Sequence, residues 1–390
     1  MIALVVTIII LVILATVSIN VVFGEGGLIK RAEIAKQIYE NNAKNEEEQM
    51  NGVAQNIDGY MKDNNKEKEV ESISLDKTTL KIGIENTSEA LNVIFTPANA
   101  TNQKIIWSSN TETVATVNEK GEITAVAKGT ATITATSANG KTATCNVTVI
   151  DEMTIAEAKV AVKSYANLKQ YIGIKITDYN PTAGGTWRIF YYDEAEEFGT
   201  AGKLYLKRDY DSSLPKTLDI SGTYTNTDEA VIKMKAMNPK WAASTNASSI
   251  DLNNEKAVAW LCNPANWTDY KTVEANYAIG SPSVEMYMKA FNIWKTGNKD
   301  ATNLICKVES ANGYAVGANG TYDNEGLYTD DNTIEAGPNN IFMTVGFHYW
   351  WLASPASGHG DYVLRMNGSN VCVSNGYYSN LYGVCPVVSL

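Results

Sequence analysis

The first 23 residues, Met1 to Phe23, read MIALVVTIIILVILATVSINVVF and carry no charged side chain. A helix rising 1.5 Å per residue makes this stretch about 34 Å long, enough to cross a hydrocarbon core of roughly 30 Å. A cleaved signal peptide is the alternative. It calls for a basic start, a shorter apolar run and a small-x-small cleavage site, and none of these is clear here. Residues 1–23 are therefore expected to form a retained transmembrane helix whose partner is the membrane. Lys30, Arg31 and Lys36 follow it and nothing basic precedes it. Taken literally, the positive-inside rule puts the following domains in the cytoplasm, whereas the character of those domains argues for the outside.

Gly24-Glu25-Gly26-Gly27 ends the apolar run. Leu28, Ala32, Ala35, Ile38 and Tyr39, then Val53, Ile57, Tyr60 and Met61, recur at steps of three and four, the mark of an apolar stripe on a helix. Lys62 to Glu69 reads as a charged linker, so residues 24–69 are expected to be a stalk helix and linker. Ile2-Ala3-Leu4-Val5-Val6-Thr7 resembles the segment just after the mature start of type IV pilin-like proteins. That resemblance implies a membrane anchor, a leader ahead of the helix, and other pilin-like subunits as partners. The acidic residue with which that family registers subunits falls on Ala3, so the resemblance carries anchoring further than filament assembly.

From Val70 to Ile150 the pattern changes to alternation. Ile73 and Leu75, Leu80 and Ile82, Leu91, Val93 and Ile94 read as short strands, and Ile105, Val114, Val117, Ile123, Val126, Ile133, Val147 and Val149 continue the series. Turns such as Glu119-Lys120-Gly121 and Ala138-Asn139-Gly140 separate them, a spacing that predicts an all-β sandwich. Trp107-Ser108-Ser109, Val114-Ala115-Thr116-Val117, Gly121-Glu122-Ile123-Thr124-Ala125 and Gly129-Thr130-Ala131-Thr132-Ile133-Thr134 resemble a bacterial Ig-like domain of group 2. The resemblance spans residues 70–150. It implies a rigid spacer on a surface protein, with Trp107 as the core aromatic between the sheets.

Residues 153–390 read as an α+β domain. Thr154 to Leu168 has helical spacing, Trp187 to Tyr192 and Lys203 to Leu206 read as paired strands, and Met234 to Trp241 and Glu255 to Leu261 read as helix or loop. Glu285 to Phe291 reads as a helix with Ser281-Pro282 as its start signal, and Phe347 to Leu390 as strands and polar loops. Ala259-Trp260-Leu261-Cys262 and Tyr277 to Met286 resemble a domain of undefined activity found at the ends of bacterial surface proteins. Trp350-Trp351-Leu352-Ala353-Ser354-Pro355 and Gly383-Val384-Cys385-Pro386 are similar to the tail of C-type-lectin-like and formylglycine-enzyme-like folds, with Cys385 where that tail has Arg. The implied architecture is multidomain: transmembrane and stalk helix, Ig-like sandwich, then a C-type-lectin-like α+β domain.

Between those last two motifs, from Ser357 to Gly383, 17 of 27 residues are Ser, Gly, Asn or Tyr. Binding loops favour these types, because Tyr offers wide contact area with few rotors and the small polar residues offer adaptable hydrogen bonds. Val363, Leu364, Val371 and Val373 are expected to hold the strands. Asp361, Tyr362, Arg365, Asn367, Ser369, Asn370, Ser374, Asn375, Tyr377, Tyr378, Asn380 and Tyr382 are expected to face outward as a ligand-binding set. The competing reading is ordinary turns between edge strands, where Gly and Asn supply positive φ. The ligand class expected is a surface protein or a glycan. Resemblance to lectin-like tails also implies that a diversity-generating retroelement varies this stretch.

Other functions have less support. A net charge of −11 with no basic stripe excludes an electrostatic case for nucleic acid. Five cysteines show no CxxC pair and no zinc spacing, although Cys372 and Cys385 are placed to face each other across a sheet. There are two histidines, His348 and His359. Ser354 and His359 lack a third orienting group, so a hydrolase is not expected; a formylglycine-enzyme-like oxidase would draw on Cys372 and Cys385. Asp323-Asn324-Glu325-Gly326 and Asp330-Asp331-Asn332 lack EF-hand spacing. The expectation is therefore a binding protein and not an enzyme, with no cofactor and no metal.

Overall fold

Two helices form the first compact unit of the protein, residues 1–68, and residues 69–390 form the second. The structure, a computed structural model, describes residues 2–64, 67–88, 90–199, 202–210, 215–244, 249–301, 305–306, 327–328, 338–342, 349–356, 360–367 and 372–390.

Helix α1 (Ile2–Phe23) exposes apolar side chains all round, Leu4, Ile8, Leu11 and Leu14 among them. A helix apolar on every side suits a lipid solvent, and its length and composition suffice for one membrane crossing. Helix α2 (Leu28–Asn64) follows the glycine break. It runs on through Lys62, Asp63 and Asn64, which the charge pattern had assigned to a linker. Charged residues keep good helix propensity and extend a helix as readily as they end one. Leu28, Ile34, Ile38, Val53 and Ile57 lie exposed along α2.

The second unit begins with eight strands: β1 (Ser72–Leu75), β2 (Thr79–Gly83), β3 (Val93–Thr96), β4 (Ile105–Ser109), β5 (Ala115–Val117), β6 (Ile123–Ala125), β7 (Gly129–Ser137) and β8 (Thr142–Ile150). Four pair in the order β2-β8-β7-β4, while β1 pairs β3 and β5 pairs β6. Alternation places the core. Ala131, Ile133 and Ala135 of β7 and Cys145, Val147 and Val149 of β8 point inward, and the threonines between them outward. Trp107 is a correction: it is half-buried and not the central aromatic. Its strand β4 is the edge of the four-stranded sheet, so one flank of the ring stays open, and the ring lies over Gly121, where a Cβ would come within 2.8 Å of it.

The chain passes into the next domain without a linker, through β9 (Glu152–Met153). Helix α3 (Ile155–Ala161) starts at a capping box, in which Thr154 and Glu157 each satisfy the other's backbone N–H. Helix α4 (Tyr165–Lys169) is capped by Ser164. There follow β10 (Lys175–Ile176), β11 (Trp187–Asp193), β12 (Lys203–Arg208), β13 (Pro215–Lys216), β14 (Tyr224–Thr225), α5 (Glu229–Met237), α6 (Pro239–Ser244), β15 (Ser249–Ile250), α7 (Asn253–Cys262), β16 (Tyr277–Ile279) and α8 (Val284–Thr296). The last strands are β17 (Ile305–Cys306), β18 (Leu327–Tyr328), β19 (Tyr349–Pro355), β20 (Tyr362–Asn367), β21 (Cys372–Tyr377), β22 (Tyr382–Gly383) and β23 (Val387–Ser389).

Two sheets organise these pieces, one in the order β16-β23-β12-β11-β10-β9 and one in the order β13-β22-β19-β20-β21. Trp187, Trp241, Trp267, Trp350 and Trp351 are fully buried in one continuous core, each removing a large apolar surface from water. The cap of helix α8 lies two residues after the expected Ser281. Ser283 accepts from Met286 N at 3.2 Å as the cap, while Ser281 accepts from Cys385 N at 3.3 Å. Gly297 ends α8 at φ +76°, a conformation open to glycine.

The Ig-like sandwich and this domain are joined by backbone. Gly83 N donates to Gln170 O at 2.8 Å, and Tyr171 OH to Lys81 O at 2.8 Å. Ile84 packs against both cores.

Candidate functional site

Strand β20 carries the expected site residues in a defined row. Leu364 and Met366 turn into the core, so Arg365 between them projects from the opposite face. Register places Arg365 opposite Trp351 of β19 on one side and Ser374 of β21 on the other. Asn367 pairs with Tyr349, one row along.

The Arg365 guanidinium lies 4.0 Å from the ring centre of Tyr349 and 5.1 Å from that of Tyr382. The two tyrosine rings are 5.3 Å apart, and Tyr382 lies 4.7 Å from the Trp351 ring, tilted at 53° to it. Asn380 Nδ2 donates to Tyr382 OH at 2.8 Å, and Trp351 Nε1 donates to Lys216 O at 3.0 Å. The result is a half-buried cation between aromatic faces on a floor of buried tryptophan. Such an arrangement sets a positive charge among aromatic faces, which suits contact with a polar ligand.

The structure gathers Arg365, Asn380 and Tyr382 into this cluster. Asp361 is exposed at the turn before β20 and accepts from Asn253 Nδ2 at 3.0 Å. Tyr362 and Tyr378 are half-buried against the core and not outward-facing. Tyr382 is likewise half-buried, held down by Trp351. Asn367, Ser374, Asn375 and Tyr377 are placed by their strands alone; Ser369 and Asn370 lie outside the described residues. Tyr349 and Trp351 were not among the expected residues. The strand period sets 349 and 351 on one face, but both tryptophans after Tyr349 are buried, so residue type gave no cue.

Ser354 is buried. It accepts from Val284 N at 2.9 Å and donates to Asn238 Oδ1, so its hydroxyl is engaged in holding α8. The pairing of Cys372 with Cys385 is corrected: Cys385 is a free thiol in the core, and burial pushes it up to about 11. The reason is topological, since Cys385 follows β22 into the interior whereas Cys372 begins the edge strand β21. His348, His359 and the acidic segment 323–332, with its two runs, lie outside the described residues apart from the backbone of Leu327 and Tyr328. Among the described residues no group of three metal-ligating side chains occurs.

Comparison with known proteins bears on the middle of the chain. Residues 69–147 match the family "Bacterial Ig-like domain (group 2)". A 50-residue stretch is 50% identical to part of a lacto-N-biosidase of Bifidobacterium bifidum, covering 13% of this chain and 4% of that protein. Another of 77 residues is 43% identical to part of the minor capsid protein of Enterobacteria phage T3, covering 20% and 17%. A third of 85 residues is 44% identical to part of a kappa-carrageenase of Pseudoalteromonas carrageenovora, covering 22% and 19%. The chain thus spans less than a fifth of each of these relatives. Among solved structures, an intimin mutant of EHEC O157:H7 is similar at 22% identity over 17% of this chain and 34% of its own, with a TM-score of 0.15. Residues 69–147, with their strand order and alternating core, form a bacterial Ig-like domain of group 2.

Proposed function

We propose that this protein is anchored in the membrane by α1 and binds a surface protein or glycan through the β19–β22 face of its C-terminal domain. The observation that carries the reading is Arg365 stacked between Tyr349 and Tyr382. A cation–π contact near a surface is worth about 0.5–1 kcal/mol. Two such contacts favour this placement of the guanidinium before a ligand arrives and so lower the ordering cost of binding. The apolar α1 supports membrane anchoring, and the Ig-like domain supports a spacer on an extracellular surface. The C-terminal domain is proposed to be C-type-lectin-like, with the segment around β20 and β21 varied by a retroelement. Binding is favoured over catalysis because the Ser354 hydroxyl is already engaged on both sides.

A second reading, a pilin-like filament subunit, is favoured by the exposed apolar residues of α2. Other copies of such subunits would then cover Leu28, Ile34, Ile38, Val53 and Ile57.

The test is a glycan and protein array probed with the full chain in detergent, beside Arg365→Ala and Tyr382→Ala. A ligand bound by the parent and lost by both variants supports the reading. No ligand above background, or one that both variants keep, overturns it. Electron microscopy of membranes from expressing cells separates the filament reading.

A further inference from the structure

The last turns of α8 and the loop after it hold a second polar centre, remote in sequence from the β19–β22 face. Glu197 sits in its middle. Its Oε1 accepts from Lys289 Nζ at 2.8 Å and Lys299 Nζ at 2.9 Å, and its Oε2 from Tyr191 OH at 2.9 Å and Tyr165 OH at 3.3 Å. Asp300 closes the ring, 3.3 Å from Lys289 and 2.6 Å from Lys299. Burial works against charge on Glu197, yet the hydrogen bonds from Lys289, Lys299 and Tyr191 outweigh it and hold the carboxyl below its ordinary range. Burial also works against charge on Lys299, and Asp300 and Glu197 outweigh it in turn. Two ammonium groups are therefore balanced by two carboxylates.

Beside this ring lies a cleft of about 210 Å³, lined by three cations, Lys240, Lys289 and Lys299, by two carboxylates, Glu285 and Asp300, and by Asn292 and Ala301. At about 30 Å³ per water it has room for roughly seven waters, or one small organic molecule. Asn292 is 3% exposed. Its Nδ2 donates to Lys299 O at 3.3 Å and Ala301 O at 2.8 Å, which fixes the amide's orientation, while its Oδ1 is buried without a donor among the described residues. Buried acceptors are nearly always paired, so an orphan on a cleft wall points to an occupant with a hydrogen to give. Lys289 and Lys299 each spend two N–H groups on Glu197 and Asp300, and the third of each has no partner among the described residues.

We infer that the cleft binds a neutral polyol the size of one sugar ring. Adjacent hydroxyls accept from the spare N–H groups of Lys289 and Lys299 and donate to Asn292 Oδ1. A hydroxyl both donates and accepts, and the lining demands that combination. An anion or a cation fits less well, because the charges around the cleft are already matched and a further one would be buried uncompensated.

The experiment is saturation-transfer NMR and titration of the full chain in detergent with glucose, galactose, mannose and N-acetylglucosamine, and with glucuronate as the anionic counterpart. The expected result is saturable millimolar binding of at least one neutral sugar. It should weaken roughly tenfold or more in Asn292→Leu and Ala301→Phe and stay unchanged in Arg365→Ala. Ala301→Phe fills the cleft without deleting a polar group, so it decides the matter should Asn292→Leu misfold. The proposal is overturned by no saturable neutral-sugar binding (water being then the only occupant), by binding that survives Ala301→Phe, or by tighter binding of glucuronate than of glucose. Loss of binding in Arg365→Ala but not in Ala301→Phe would move the sugar to the β19–β22 face and overturn this site while sparing that one.

Discussion

Asn86, in the loop after β2, donates its Nδ2 hydrogen to the carbonyl oxygen of Ile172 at 3.0 Å, so a fully buried amide of the Ig-like domain is committed to the backbone of the next domain. The bonds from Gly83 to Gln170 and from Tyr171 to Lys81 run beside it. Contacts of this kind make residues 69–390 one mechanical piece.

Replacing Asn86 with Ala leaves the Ile172 carbonyl buried without that donor. The expected loss is about 1–3 kcal/mol, read by chemical denaturation of the full chain. Gly83→Val is a more severe change, because any Cβ there comes within 2.6 Å of Ile174. Limited proteolysis should then cut near Ile150, where the parent resists. A variant as resistant as the parent would show that the junction is not held this way.

Arg365→Lys keeps the charge but loses the planar donor group between Tyr349 and Tyr382. Ligand affinity should drop roughly tenfold, while stability moves by less than about 1 kcal/mol. Titration beside a melting curve separates the two; equal affinity in both proteins would remove Arg365 from the site.

Acid should weaken the Glu197 ring. The folded carboxyl titrates below its ordinary value of 4.5, so its contribution is fully present above 4.5 and is lost as pH falls through the folded value. Lys299 is raised above its ordinary 10.5, so its contribution is present below 10.5 and is lost only as pH rises through the folded value. Asp193, raised by burial, works in the opposite sense to Glu197. The comparison of parent with Glu197→Gln removes most of it, because the burial that chiefly raises Asp193 is the same in both proteins. Between about pH 5 and about pH 3 the parent's Tm should fall further than the variant's. Parallel curves would contradict the assignment.

Ser354→Ala removes the acceptor for Val284 N and the donor to Asn238, both inside the core. A loss of about 1–3 kcal/mol is expected, with ligand binding retained by the protein that remains folded. A loss of binding without a loss of stability would instead make Ser354 part of a site.

The sandwich was legible because one face of each strand is wet. In β7 the run Ala131, Ile133 and Ala135 announces its own inward side. Strand β19 gives no such cue: Trp350 and Trp351 are both buried, on opposite faces, so alternation of hydrophobicity disappears. The Arg365 stack was half legible for the same reason. Its cation and Tyr382 stood out by residue type, but Tyr349 joins them only through the register of β19 with β20, which shifts between Trp351 and Pro355. Trp107 misled because tryptophan in a sandwich suggests the centre, whereas its strand proved to be an edge. The Glu197 ring draws on four separated segments and has no spacing to read.

Strand β23 lies between β12 and β16, bonded to both, with Ser389 facing Tyr205 on one side and Tyr277 on the other. A polypeptide delivered amino end first must therefore hold its six-stranded sheet open until Val387–Ser389 arrives, which makes maturation late and slow. Deleting this strand would therefore remove an interior stave and not a fringe, splitting the sheet between β12 and β16.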